Sequence, residues 1–188
     1  MPHTPSPRKK LTDLALVAMF AAVMAVCAWI TVPAAVPFTL QTFGVFLTVG
    51  VLGGKKGTLS VAVYLLLGAF GLPVFSGFSG GVGQLAGSTG GYLVGFLFSA
   101  LVMWAMERLF GGKKAVLALS MALALLVCYA FGTAWFMIVY AKGSGPIGLL
   151  TALSWCVFPY ILPDAVKILL ALLLCGRLRR VFHPGETR

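Results

Sequence analysis

The chain has 188 residues, 60% of them hydrophobic and 10% charged, with a mean hydropathy of +1.02. Soluble domains run near ~45–50% apolar and ~25% charged, so this composition excludes a disordered tail, a secreted disulfide scaffold and an ordinary cytosolic enzyme. A membrane helix takes ~20 apolar residues; six such helices would use most of the chain and leave no room for a fused ATPase or kinase domain.

The first apolar run, residues 11–32, follows Pro7-Arg8-Lys9-Lys10. It is longer than the apolar part of a signal peptide and more runs follow, so it reads as a retained first transmembrane helix. Two shorter runs, 39–52 and 58–70, are joined by Gly53-Gly54-Lys55-Lys56-Gly57. Runs at 90–106 and 115–141 follow. A last run ends at Cys175 and is interrupted by Pro159 and Pro163. Proline favours the first helical position, which predicts a sixth helix from Pro163 to about Arg180. Residues 147–157 then form a separate short segment on the outer side. In that register Asp164 lies in the first turn, where the helix dipole favours a carboxylate.

The charges set the topology. Twelve of the 14 Lys and Arg fall at the start, in alternate connections and at the end: Arg8 to Lys10, Lys55 and Lys56, Arg108 with Lys113 and Lys114, and Arg177, Arg179, Arg180 and Arg188. By the positive-inside rule this predicts an all-α six-transmembrane-helix bundle with both termini cytoplasmic. Residues 1–10 and 181–188 are the tails and 11–180 the membrane domain. The net charge of +10 is thus a topology signal, and no nucleic-acid partner is implied. The outer connections are rich in Pro and Gly, above all residues 71–91. Such irregular backbone cannot face lipid and must be buried or line a cavity, which suits a lid or pocket for a small solute.

Asp164 and Lys167 are the ionisable pair inside an apolar run. Each costs ~2.5–3.5 kcal/mol at mid-bilayer on insertion scales, so both should face the bundle interior, and their i, i+3 spacing puts them on one helix face. They read either as a neutralising structural pair or as a substrate site, since intramembrane charges commonly mark function. Asp13, beside Thr12 at the start of the first helix, reads as a capping acid. Cys27, Cys128, Cys156 and Cys175 lack CxxC spacing and read as small buried hydrophobes. With His3 and His183 confined to the tails, no metal site is predicted.

Gly77-Phe78-Ser79-Gly80 matches the GxSG nucleophile motif of rhomboid proteases. A serine nucleophile needs a base, and only Lys167 could serve. Gly81-Val82-Gly83-Gln84-Leu85-Ala86 fits a dinucleotide fingerprint but lacks the βαβ context that motif needs. Gly87-Ser88-Thr89-Gly90-Gly91-Tyr92 opens a helix: Ser88 or Thr89 can cap it, and its free amides and hydroxyls could hold a carboxylate. Gly91 and Gly95 form GxxxG, which permits close helix packing. Ala15, Ala18, Ala22 and Ala25 make one small-residue seam on the first helix, suited to packing within the bundle or to docking another membrane protein.

Taken in order, the Ala-rich first helix, Val36-Pro-Phe-Thr-Leu-Gln41, Gly71-Leu-Pro-Val-Phe75, Gly87-Ser-Thr-Gly-Gly-Tyr92 and Pro163-Asp-Ala-Val-Lys167 resemble the BioY family, the biotin-specific S components of energy-coupling-factor (ECF) vitamin transporters. Ser88 stands where that family more often has Pro. The resemblance implies a bacterial or archaeal multi-pass plasma-membrane protein, not an enzyme, that binds biotin from outside without ATP or cofactor. It also implies partners: a transmembrane coupling protein and two cytoplasmic ATPases, with Ala18 and Ala22 as the docking positions. Asp164 would accept from a ureido N–H of biotin and Lys167 donate to its carbonyl. Gly87, Ser88, Thr89 and Tyr92 would hold the carboxylate, and Phe38, Gln41 and Tyr160 line the pocket. The reverse orientation, an S component or solitary carrier for another small vitamin, and a membrane serine protease remain the alternatives.

Overall fold

A computed structural model describes residues 7–33 and 36–182; His3, His183, Glu186 and Arg188 lie outside the described residues. Helix dominates, as an apolar chain in lipid requires: with no water to satisfy amides, each segment must satisfy its own. The order is α1 (Pro7–Trp29), a two-residue hairpin of β1 (Thr31–Val32) and β2 (Phe38–Thr39), α2 (Gln41–Leu52), α3 (Gly54–Ala69), and the short α4 (Val82–Ala86). Then come α5 (Gly90–Phe110), α6 (Lys114–Ser144), α7 (Leu149–Cys156) and α8 (Ile161–Phe182). The hairpin pairs Thr31 with Thr39 and Val32 with Phe38.

Among the described residues, four stretches are long and apolar enough to cross a membrane: α1, α5, α6 and the stretch Leu149–Phe182 that holds α7 and α8. The two short runs became shorter helices. At ~1.5 Å per residue, α2 spans only ~18 Å against a hydrocarbon core of ~30 Å. It does not need to meet lipid: ten of its twelve residues are buried, and α1, α3, α5, α6 and α8 surround it. The large apolar residues left exposed, such as Leu101, Leu126, Ile138 and Leu173, sit on the outer helices, where lipid replaces a protein partner.

The basic segments gather at one end. Asp13 does not cap α1, which starts at Pro7; it lies nearly two turns in and pairs with Lys56 at 2.6 Å. Gly53, at φ 80°, makes the one-residue reversal between α2 and α3, a backbone state that favours glycine. The next amide, Gly54 N–H, donates to the Glu107 carboxylate of α5, and Arg179 Nε donates to the Gly50 carbonyl. At the opposite end lie the hairpin, residues 71–81, α4 and α7. Between the ends α5 and α6 pack most extensively. Gly91 lies against Trp135, Gly95 against Cys128 and Gly132 against the Tyr92 ring, so the GxxxG expectation holds with α6 as the partner helix.

Candidate functional site

The end opposite the basic cluster holds a cavity of about 120 Å³, against the roughly 10–15 Å³ that one water needs on the same measure. Its walls come from the loop before α2, residues 75–79, the start of α5, the middle of α6, the end of α7 and the start of α8. Gln41, Thr89, Tyr92, Tyr160, Asp164 and Lys167 all line it. Residues from across the chain thus meet at one pocket, apolar in most of its wall through Val36, Phe75, Leu93, Phe96 and Leu125.

Asp164 occupies the first turn of α8 and Lys167 the next, 3% and 4% exposed. Lys167 Nζ donates to Asp164 Oδ1 at 2.7 Å and stands 4.2 Å from the centroid of the Phe38 ring, a cation–π distance. Phe38 therefore supports the lysine rather than forming the cavity wall. Its ring stacks on Tyr160 at 6.2 Å, and the Tyr160 hydroxyl donates to the Val36 carbonyl. That bond ties the loop before α2 to the turn before α8. Asp164 has a second partner that sequence reasoning missed: the Tyr129 hydroxyl of α6 donates to Oδ2 at 2.5 Å. The available signal was a polar residue inside an apolar run, repeated one turn later at Thr133, whose Oγ1 lies 3.0 Å from the Tyr92 hydroxyl.

Gln41 anchors a second network. Its Nε2 donates to the Tyr64 hydroxyl at 2.6 Å, its Oε1 accepts from Thr39 Oγ1 at 3.1 Å, and Tyr64 donates onward to the Val74 carbonyl at 3.1 Å. These bonds fasten the two outer loops to α2 and α3.

The α5 segment departs from expectation. Thr89 precedes α5 but makes no side-chain cap, and Ser88 does not cap it either. The amides of Gly90 and Tyr92 already donate to the Gly87 and Thr89 carbonyls. The Gly87 carbonyl also accepts from Trp135 Nε1 at 2.9 Å. Gly87 and Ser88 stand outside the cavity wall, whereas Thr42, Ser76, Ser79 and Gln84 belong to it. Polar side chains thus supply the uncharged polar side of the pocket. Ser79 Oγ donates to the Ser76 carbonyl at 2.7 Å. Lys167 is bonded to Asp164, and among the described residues no bond joins it to Ser79, so the nucleophile–base contact of a serine protease is not formed. Ala15, Ala18 and Ala22 are exposed on α1, while Ala25 is buried; the seam is largely free of the chain's own helices.

Residues 2–184 match the model of the BioY family. The chain is similar to the "Biotin transporter BioY" of Thermotoga maritima, 41% identical over 169 residues that cover 87% of this chain and 93% of that one. It is 38% identical to the "Probable biotin transporter BioY" of Pyrococcus horikoshii, covering 90% and 98%. Its fold superposes on the crystal structure of the S-component for biotin from an ECF-type ABC transporter with a TM-score of 0.83, at 26% identity and over 94% and 95% of the two chains.

Proposed function

The chain belongs to the BioY family, and we propose that it is the biotin-capturing S component of an ECF-type uptake transporter. The observation that carries this reading is the buried Asp164–Lys167 pair facing a mostly apolar cavity. Such a pocket, with a few placed polar groups, is the usual form of a small-ligand site. The ureido ring of biotin offers N–H donors beside a carbonyl acceptor. Asp164 accepts from an N–H and Lys167 donates to the carbonyl, both charge-assisted bonds of the stronger kind. The carboxylate tail then lies toward Thr89, Tyr92 and the polar side chains at Ser76, Ser79 and Gln84. This orientation is favoured over its reverse because Lys167 is already neutralised at 2.7 Å by Asp164, which would repel a carboxylate placed beside it.

In this reading α2 and α3 are two short spans completing six. The basic end faces the cytoplasm with both termini, and the cavity opens outward. Biotin enters without ATP, and a transmembrane coupling protein with two ATPases drives its release inward. The exposed Ala18 and Ala22 are the docking positions on α1.

The test is equilibrium binding of labelled biotin to the purified chain in detergent, without ATP or partners, against thiamine and riboflavin. Tight, selective biotin binding is the expected result. A folded chain that ignores biotin but takes another vitamin would overturn the substrate assignment.

A further inference from the structure

We propose that Tyr129 is the positioning residue that makes this site selective for a neutral cyclic urea. The inference rests on the reading of the cavity as the biotin site. The Tyr129 hydroxyl has one proton, and that proton is committed to Asp164 Oδ2 at 2.5 Å. The Tyr129 side chain lines the cavity, but the hydroxyl has no proton left to donate to a ligand, so its donor acts through the carboxylate. A carboxylate has about four lone-pair sites and can turn about its last torsion, which is broad and roughly two-fold. Lys167 alone, on the same helix, would not fix that torsion. Tyr129 approaches from α6 while Lys167 holds Oδ1, so the two oxygens are pinned from two helices. Two acceptor sites remain for the cavity. On Lys167, one N–H goes to Asp164 and the ammonium rests against the Phe38 face, which fixes where its remaining donors point.

The pinned pair presents acceptors next to a cationic donor at a set spacing. A ureido edge, with N–H beside C=O, matches it. A cyclic guanidinium of the same shape has N–H where the carbonyl was, so it meets the Lys167 ammonium donor to donor and charge to charge. Without the Tyr129 hydroxyl, Asp164 is free to swing Oδ2 toward that extra N–H, and the discrimination relaxes.

The experiment measures dissociation constants of biotin, 2-iminobiotin and biotin amide for the whole chain and for Tyr129→Phe, below the pH at which the imino analogue loses its proton. The unsubstituted chain should prefer biotin over 2-iminobiotin. Tyr129→Phe should weaken biotin about tenfold, the scale of one hydrogen bond to a charged group. It should shrink the preference over 2-iminobiotin and leave the biotin to biotin-amide ratio unchanged, because that change lies at the other end of the ligand. In an Asp164→Ala background, Tyr129→Phe should alter biotin affinity less than twofold. Equal weakening of biotin and 2-iminobiotin, or a tenfold loss that persists without Asp164, would mean that Tyr129 supports the fold or touches the ligand directly, and the inference falls. An unsubstituted chain that binds biotin but does not discriminate against 2-iminobiotin would overturn the inference alone. No biotin binding at all would overturn the proposed function and the inference with it.

Discussion

Trp29 Nε1, at the end of α1, donates to the Pro73 carbonyl at 2.8 Å, joining the first helix to the loop that roofs the cavity. The same indole stacks on Phe78 with ring centroids 5.0 Å apart, and Thr31 Oγ1 lies 3.1 Å from Ser76 Oγ. Phe78 is held at φ 55°, a left-handed conformation uncommon for a bulky residue. The roof is thus fastened from α1 while Phe75, Ser76 and Ser79 beneath it line the cavity. Trp29→Ala removes one hydrogen bond and one ring stack, each on the order of 1 kcal/mol. It should speed biotin release by about tenfold. Stopped-flow displacement of labelled biotin checks this; an unchanged release rate would show that the ligand leaves by another route.

The buried ion pair should respond asymmetrically. Asp164→Asn or Lys167→Ala leaves one charge in an apolar interior, so each should weaken biotin binding by about 2–5 kcal/mol. The double change Asp164→Asn with Lys167→Met removes both charges. It should recover much of the thermal stability lost in the single variants while staying unable to bind biotin. Titration calorimetry and thermal unfolding in detergent separate the two effects. Normal binding in both single variants would make the pair structural.

The α1 seam predicts a separation of capture from uptake. Ala18 and Ala22 are exposed, and neither lines the cavity. Ala18→Trp or Ala22→Trp should leave biotin affinity within about twofold and abolish partner-dependent uptake into cells, since a bulky ring blocks close helix approach. Loss of binding as well would identify the seam as internal packing.

The α5–α6 contact predicts a cost for one added methyl group. A Cβ at Gly132 would fall on the Tyr92 ring, whose hydroxyl pairs with Thr133. Gly132→Ala should lower stability by roughly 1–3 kcal/mol, as overpacking does, and should push Tyr92 toward the cavity, weakening biotin. A melting temperature and an affinity both equal to those of the unsubstituted chain would show that the helices can separate freely.

Sidedness is testable by chemistry. The four native cysteines are buried, so single cysteines placed at Lys113 and at Gly145 can be labelled in whole cells with a membrane-impermeant maleimide. Labelling at 145 but not at 113 is expected; the reverse would invert the topology.

Much of this was legible along the chain. Hydropathy marked the four long spans because ~20 apolar residues have few uses outside a bilayer. Lys55, Lys56, Arg108, Lys113 and Arg179 announced one end because charge avoids hydrocarbon. Asp164 and Lys167 stood out for the same reason, and Pro163 placed them in the first turns of α8. The errors lay where local grammar competed with neighbours. Asp13 resembled a cap, yet it pairs with Lys56 from another helix. Ser88 and Gly87 resembled an anion cradle, yet both stand outside the cavity wall, and the Gly90 and Tyr92 amides bond within their own turn.

Composition alone calls for a helical membrane protein with two charges to hide, because both follow from the cost of each residue in lipid. Helix packing is what brings Tyr129 to Asp164 across 35 positions, sets Phe38 beneath Lys167, and sheathes a twelve-residue α2 in other helices. Periodicity tells which face of a helix is apolar; which helix that face meets depends on how all the faces pack at once.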